Sequence, residues 1–247
     1  MLAVIIIVTM FMPDWQRNKL TEPNPAQPDS SDSGPVISKV RIRLDEPPNT
    51  SHAYIYAADM MGYFREEGLS LEIVEPSQRV NVLEQVVAGE MEIAIVPAPK
   101  VLFAMQRKLP IVSIAAVLRG PLTYLTVPHQ SVVQTPRNLA GLKVALGTYP
   151  HYEAMLKTMV DKDGGDWSEV EIKSIDQPYT AVFRDVDAMI GPNVIDDRMV
   201  MEQQGVSVRM IEPTLYGVPT FYERVLAAGQ PAVEENPELY RKVVAGP

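Results

Sequence analysis

The chain has 247 residues, 46% of them hydrophobic and 21% charged, with a net charge of -9. That length fits one large domain or two small ones, and the acidic balance argues against a nucleic-acid partner, because phosphate backbones are held by clusters of Lys and Arg. With no cysteine and only three histidines (His52, His129, His151), none spaced as paired metal ligands, disulfides and thiolate chemistry are excluded and a zinc site is not expected.

The first element is the apolar run Leu2 to Met12. It has the length of a signal-peptide hydrophobic region and falls short of the roughly 20 residues that span a bilayer. Residues 1–20 are therefore read as a signal or membrane-anchor segment, which places the protein outside the cytoplasm with the membrane as a partner. Residues 21–38 are rich in Pro, Ser, Asp and Asn and hold too little apolar surface to order themselves, so they read as a flexible tether.

From Val40 onward, β-rich runs alternate with helical patterns, the signature of an α/β protein with a largely parallel sheet. Strands are predicted at Val40–Leu44, Leu71–Val74, Ile93–Val96 and Ile111–Val117. Ala53, Tyr56, Ala57, Met60 and Phe64 recur at helical spacing, so Ser51 to Glu67 reads as one amphipathic helix stopped by Gly68; Asn81–Ala88 and Pro99–Lys108 read as two more. After the polar stretch Gln134–Asn138 the plan restarts. Strands fall at Lys143–Leu146, Val170–Ser174, Ala188–Ile190 and Ser207–Met210, with helices at Pro150–Val160 and Ile195–Gln204. Two lobes are expected, one from 39–126 and 213–247, the other from 127–212. Thr123–Val127 and Glu223–Ala228 are read as the segments that cross between them, forming a hinge over a ligand cleft.

Ligands of open α/β sheets sit beyond the carboxyl ends of the strands. The turn after the first strand offers Asn49, Ser51 and His52 near free backbone N–H groups at a helix start, although Asn49 or Ser51 serves equally as a helix cap and His52 as a structural histidine. The turn after Lys143–Leu146 offers Gly147 for close backbone approach, Thr148 as a contact or cap, and Tyr149 as a flat apolar face or a packing residue. The turns holding Pro97 and Asn193 point into the same cleft. Glu66-Glu67 and Asp196-Asp197 are better explained as solvated helix faces than as acid–base pairs, and Asp163 to Asp166 as a plain turn.

A set of motifs runs along this folded part: Asp45 with Pro48-Asn49-Thr50 and His52, then Gly62-Tyr63-Phe64-Arg65-Glu66-Glu67-Gly68, Val87-Ala88-Gly89-Glu90, Asn138-Leu139-Ala140-Gly141, Val186-Asp187-Ala188-Met189, and Tyr216-Gly217-Val218-Pro219. In these the chain resembles the ABC-transporter solute-binding proteins of the sulfonate/thiamine-precursor group. Within that group it is similar to the branch that binds pyrimidine precursors of thiamine and includes the fungal thiamine-pyrimidine synthase. The resemblance implies a periplasmic-binding-protein-like fold of two α/β lobes joined by crossing hinge segments. It also implies a small heterocyclic ligand, a permease partner and no cofactor, and it adds Asp45 and Tyr216 to the contact residues. Glu46 stands where that branch carries an aromatic residue. A cysteine-rich motif serves the fungal synthase, so a cysteine-free chain is expected to be a binding protein and not an enzyme. The alternatives are a biosynthetic enzyme of the same fold or a non-transporting sensor.

Overall fold

The computed structural model describes residues 37–44, 46–76, 81–147, 149–174 and 179–245. The apolar run Leu2–Met12, most of the tether, and the two site candidates Asp45 and Thr148 lie outside these residues. Among the described residues no helix is long and apolar enough to cross a membrane.

Two five-stranded sheets organise the chain. The first combines β1 (Ser38–Leu44), β2 (Leu69–Val74), β3 (Ile93–Val96), β4 (Ile111–Arg119) and β10 (Tyr222–Gly229) in the order β2-β1-β3-β10-β4. The second combines β5 (Thr123–Pro128), β6 (Lys143–Leu146), β7 (Glu171–Ser174), β8 (Ala188–Asn193) and β9 (Val208–Ile211) in the order β7-β6-β8-β5-β9. Three strands of each sheet are parallel. The expectation of largely parallel sheets needs correction, because β10 runs antiparallel to β3 and β4, and β5 runs antiparallel to β8 and β9. The reason is connectivity. Each of these strands enters its sheet from the opposite lobe, at the end where the parallel strands leave, and so points the other way.

The chain passes between sheets at 120–122 and returns at 212–221. The two passages are tied together: Gly120 N–H donates to Phe221 O at 3.1 Å, and Leu122 N–H donates to a Glu223 carboxylate oxygen at 2.8 Å. Thr123–Val127 lies wholly within β5 of the second sheet.

Both faces of each sheet are covered, which is why Ile93 to Val96 can be four buried residues in succession. On the first sheet, α1 (Ala53–Met61), α2 (Tyr63–Glu66) and α9 (Pro237–Ala245) press Ile55, Phe64 and Tyr240 onto Val40, Ile42 and Leu44. The short α8 (Gln230–Glu235) leads into α9. On the opposite face, α3 (Val82–Val87) and α4 (Ala98–Gln106) bring Leu83, Val86 and Val101 against Ala94 and Val96. In the second lobe α5 (His151–Lys162) packs Met155, Leu156 and Met159 on Val144 and Ile190. α6 (Tyr179–Val182) and α7 (Asp196–Gln203) cover the other face through Val182 and Met201. Each such fully buried side chain contributes about 1.5–3 kcal/mol of burial free energy.

The helix expected over Ser51–Glu67 is broken. Thr50–His52 forms a 3₁₀ turn, α1 follows, and Gly62 adopts φ 85° before α2 begins. Only glycine enters that left-handed region without steric cost, and the break rotates Phe64 into the core while Met60 and Met61 stay exposed.

Candidate functional site

All the parallel strands end, and β5 and β10 begin, at the cleft between the lobes. A pocket of about 170 Å³ lies there. From the first lobe Glu46, Asn49, Glu223 and Arg224 line it; from the second come Thr123, Tyr149, Tyr152, Gly191, Asn193 and the start of α7, Asp196 and Asp197.

Its charge is dominated by carboxylates. Among the described residues Arg224 is the single cation of the lining, and it is already engaged: one terminal nitrogen pairs with Glu46 and the other lies 3.1 Å from Glu223. The Arg224 and Glu223 side chains are 4% and 5% exposed, so this is a desolvated ion group whose members depend on one another. Asp196 and Asp197 add two more negative groups. Burial pushes the Asp197 carboxyl up from its ordinary value; the hydrogen bond its Oδ2 accepts from Asn193 N–H at 2.6 Å acts the other way. Asp196 Oδ1 accepts from Thr50 Oγ1 of the opposite lobe at 2.6 Å, while its Oδ2 is buried with no partner among the described residues.

The residues proposed from sequence fall into groups. Asn49, Tyr149 and Asn193 line the pocket. Asn49 also caps: its Oδ1 accepts from Ser51 N–H at 2.9 Å and its own N–H donates to His52 Nδ1 at 3.3 Å. Asn193 organises the start of α7, its Oδ1 accepting from Ile195 N–H at 2.7 Å. Gly147 sits beside the pocket, where a Cβ would stand 2.7 Å from the Tyr152 ring and 3.1 Å from Gly191 Cα. His52 is fully buried and outside the lining, Pro97 is the buried residue that opens α4, and Tyr216 packs against the core of the second lobe.

Glu223, Arg224, Asp196 and Asp197 were not anticipated as site residues. The reading of Asp196-Asp197 as a solvated face is corrected by the lining of the pocket and by the burial that shifts Asp197. The signal that could have found the pair is its place directly after the second-lobe strand–turn residue Asn193, where a helix start faces the cleft.

Beyond Tyr149 lies a second chamber of about 310 Å³, also between the lobes. α3 and α4 supply Leu83, Lys100 and Phe103, the residue that follows α4 is Arg107, and the turn into α5 supplies Tyr149 and His151. His151 stacks on Tyr149 at 5.6 Å between ring centroids and meets Tyr152 edge-on at 4.6 Å. It is buried, and neither ring nitrogen has a partner among the described residues. Burial, reinforced by the positive charge of Arg224, lowers its pKa to about 4, so the ring is neutral at pH 7. Among the described residues no group of three or more acidic or histidine side chains is placed to hold a metal ion.

Two mixed α/β lobes facing across a cleft define the periplasmic-binding-protein class. The periplasmic aliphatic sulphonate binding protein of Escherichia coli shares this fold with a TM-score of 0.67, at 18% identity over 85% of this chain and 71% of that one. The chain belongs to the NMT1/THI5-like family, which it matches over residues 49–246. A formylaminopyrimidine-binding protein of Halalkalibacterium halodurans is 32% identical over 215 residues, which cover 86% of this chain and 65% of that relative. A 4-amino-5-hydroxymethyl-2-methylpyrimidine phosphate synthase of Saccharomyces cerevisiae is 29% identical over 107 residues, 43% of this chain and 32% of the synthase. The chain thus spans just under two thirds of the length of the first of these relatives.

Proposed function

We propose that this protein is an extracytoplasmic solute receptor that carries a small amino-bearing heterocycle, of the kind formed by the pyrimidine precursors of thiamine, to an ABC importer. The N-terminal segment would tether it near its permease, and the protein would act by binding and not by catalysis.

The observation that carries this reading is the charge of the interlobe pocket. Among the described residues four carboxylates line it, and its one cation is held by two of them. A sulfonate would find no uncommitted positive group there. A ring bearing amino groups would find acceptors, foremost the buried Asp196 Oδ2, and an aromatic face at Tyr149. Because the other oxygen of Asp196 bonds Thr50 across the cleft, a ligand that orients this carboxylate also favours the closed arrangement, which is the differential contact that closure requires. The binding-protein relative similar over most of this chain supports the receptor reading.

Titration calorimetry on the full chain tests it, with 4-amino-5-hydroxymethyl-2-methylpyrimidine, a formylaminopyrimidine, thiamine and an aliphatic sulphonate as ligands. Binding of an amino-pyrimidine, tighter than that of the sulphonate, is expected, and Asp196→Asn should weaken it by about tenfold, the worth of one hydrogen bond to a charged group. Sulphonate binding tighter than that of every amino-pyrimidine, or no binding of any heterocycle, would sink the proposal.

A further inference from the structure

The two interlobe cavities that share Tyr149 have opposite polarity. On the pocket side Tyr149 shares the lining with Glu46, Asp196, Asp197 and Glu223. On the chamber side it faces Lys100, whose Nζ lies 5.8 Å from the ring centroid, with Arg107 just past the end of α4. Unlike Arg224, neither Lys100 nor Arg107 pairs with a carboxylate among the described residues. Glu84, the one acid of the chamber, accepts from Asn81 through its Oε1 at 3.0 Å. The remainder among the described residues is apolar or neutral: Leu83, Phe103, and the buried His151, whose two nitrogens have no partner among those residues.

Free energy favours a ligand that answers both polarities, because an anion near two uncommitted cations in a partly desolvated chamber gains charge-assisted hydrogen bonds. A plain amino-pyrimidine would occupy the acidic pocket and leave the chamber to water. The chamber is the larger of the two cavities, about 310 Å³ against about 170 Å³, and so has room for a substituent.

We propose that the cleft takes a two-part ligand: an amino-bearing ring in the acidic pocket, and an anionic substituent, phosphoryl or carboxylate, in the chamber beyond Tyr149, received by Lys100 and Arg107. The placement of the ring rests on the receptor reading above; the anionic subsite is new. Tyr149 is then the shared wall past which the two parts join, and His151 offers a neutral donor to the substituent.

The test compares three ligands on the full chain by calorimetry at fixed salt: 4-amino-5-hydroxymethyl-2-methylpyrimidine, its phosphate ester and its carboxymethyl ether. Against the alcohol, at least one anionic derivative should bind about tenfold tighter or more, as expected of one charge-assisted hydrogen bond or more. That advantage should shrink at high salt. In Lys100→Gln/Arg107→Gln the ratio of derivative to alcohol, both measured on that variant, should fall to less than about threefold. Which derivative gains tells phosphoryl from carboxylate. The subsite proposal fails, with the receptor reading intact, if the alcohol binds but neither derivative binds tighter, or if the advantage survives the double substitution. Absence of binding by all three overturns the subsite proposal, and overturns the receptor reading too if the formylaminopyrimidine and thiamine also fail to bind.

Discussion

Two turns occupy equivalent places in the two lobes, Glu46–His52 after β1 and Gly147–Tyr152 after β6, and they are built by opposite means. The first closes on itself with hydrogen bonds, Asn49 to Ser51 and Asn49 to His52. Asn49 Nδ2 also donates to Glu46 Oε1 at 3.0 Å, and the same oxygen meets Arg224. The second has no side-chain cap at the start of α5 and is held by ring contacts among Tyr149, His151 and Tyr152. The first-lobe turn therefore brings polar and charged groups to the cleft and the second-lobe turn aromatic ones, beside the carboxylates of Asp196 and Asp197. Each turn also buries a histidine, with different consequences. His52 has one ring nitrogen partnered, whereas His151 has neither.

The charged wall is the more fragile. Arg224→Met would strand Glu223 and Glu46 beside Asp196 and Asp197, and removing one partner of a buried ion group costs about 3–5 kcal/mol. Urea denaturation at pH 7 measures this; a loss below about 1 kcal/mol would show that the group is solvated and not structural.

The aromatic wall should announce itself through acid. His151 has a folded pKa of about 4 against an ordinary 6.5, so the unfolded chain binds more protons between those values. Stability is complete above about pH 6.5 and falls as pH drops toward 4, by up to about 3 kcal/mol. His52, lowered chiefly by burial, acts in the same direction. Unfolding free energies across pH 4 to 7 should slope accordingly, and His151→Leu should flatten most of that slope. An unchanged slope would assign the acid sensitivity elsewhere.

Gly147→Ala sharpens the contrast at smaller scale. Its Cβ would meet the Tyr152 ring at 2.7 Å, and overpacking of this kind costs about 1–3 kcal/mol. The change should reduce ligand affinity along with thermal stability, because Tyr152 also lines the pocket. Wild-type affinity in this variant would mean that the ring shifts freely.

The smallest effect is expected across the cleft. Thr50→Val deletes the hydroxyl that bonds Asp196 and should weaken ligand binding by about 0.5–1.5 kcal/mol. Unfolding should hardly change. Equal losses in both measurements would show that the bond serves the fold and not closure.

What the sequence determined by itself was the element plan, the α/β class and the family, because periodicity, caps and turn residues act over a few positions. Ile93–Val96 and Lys143–Leu146 are strands with the bounds their composition suggests. Asn49, Tyr149 and Asn193 reach the pocket because strand–turn–helix junctions are local features that any parallel sheet delivers to one edge. The break at Gly62 was missed because a single left-handed residue outweighs an otherwise continuous apolar period. Only the tertiary structure decided the chemistry of the cleft. Glu46 and Arg224 are 178 residues apart, and Thr50 and Asp196 are 146 apart. Their meeting depends on β10 returning antiparallel between β3 and β4 and on the second lobe facing the first. A carboxylate that looks solvated on its own helix becomes a buried acceptor when another lobe covers it, and no local pattern carries that information.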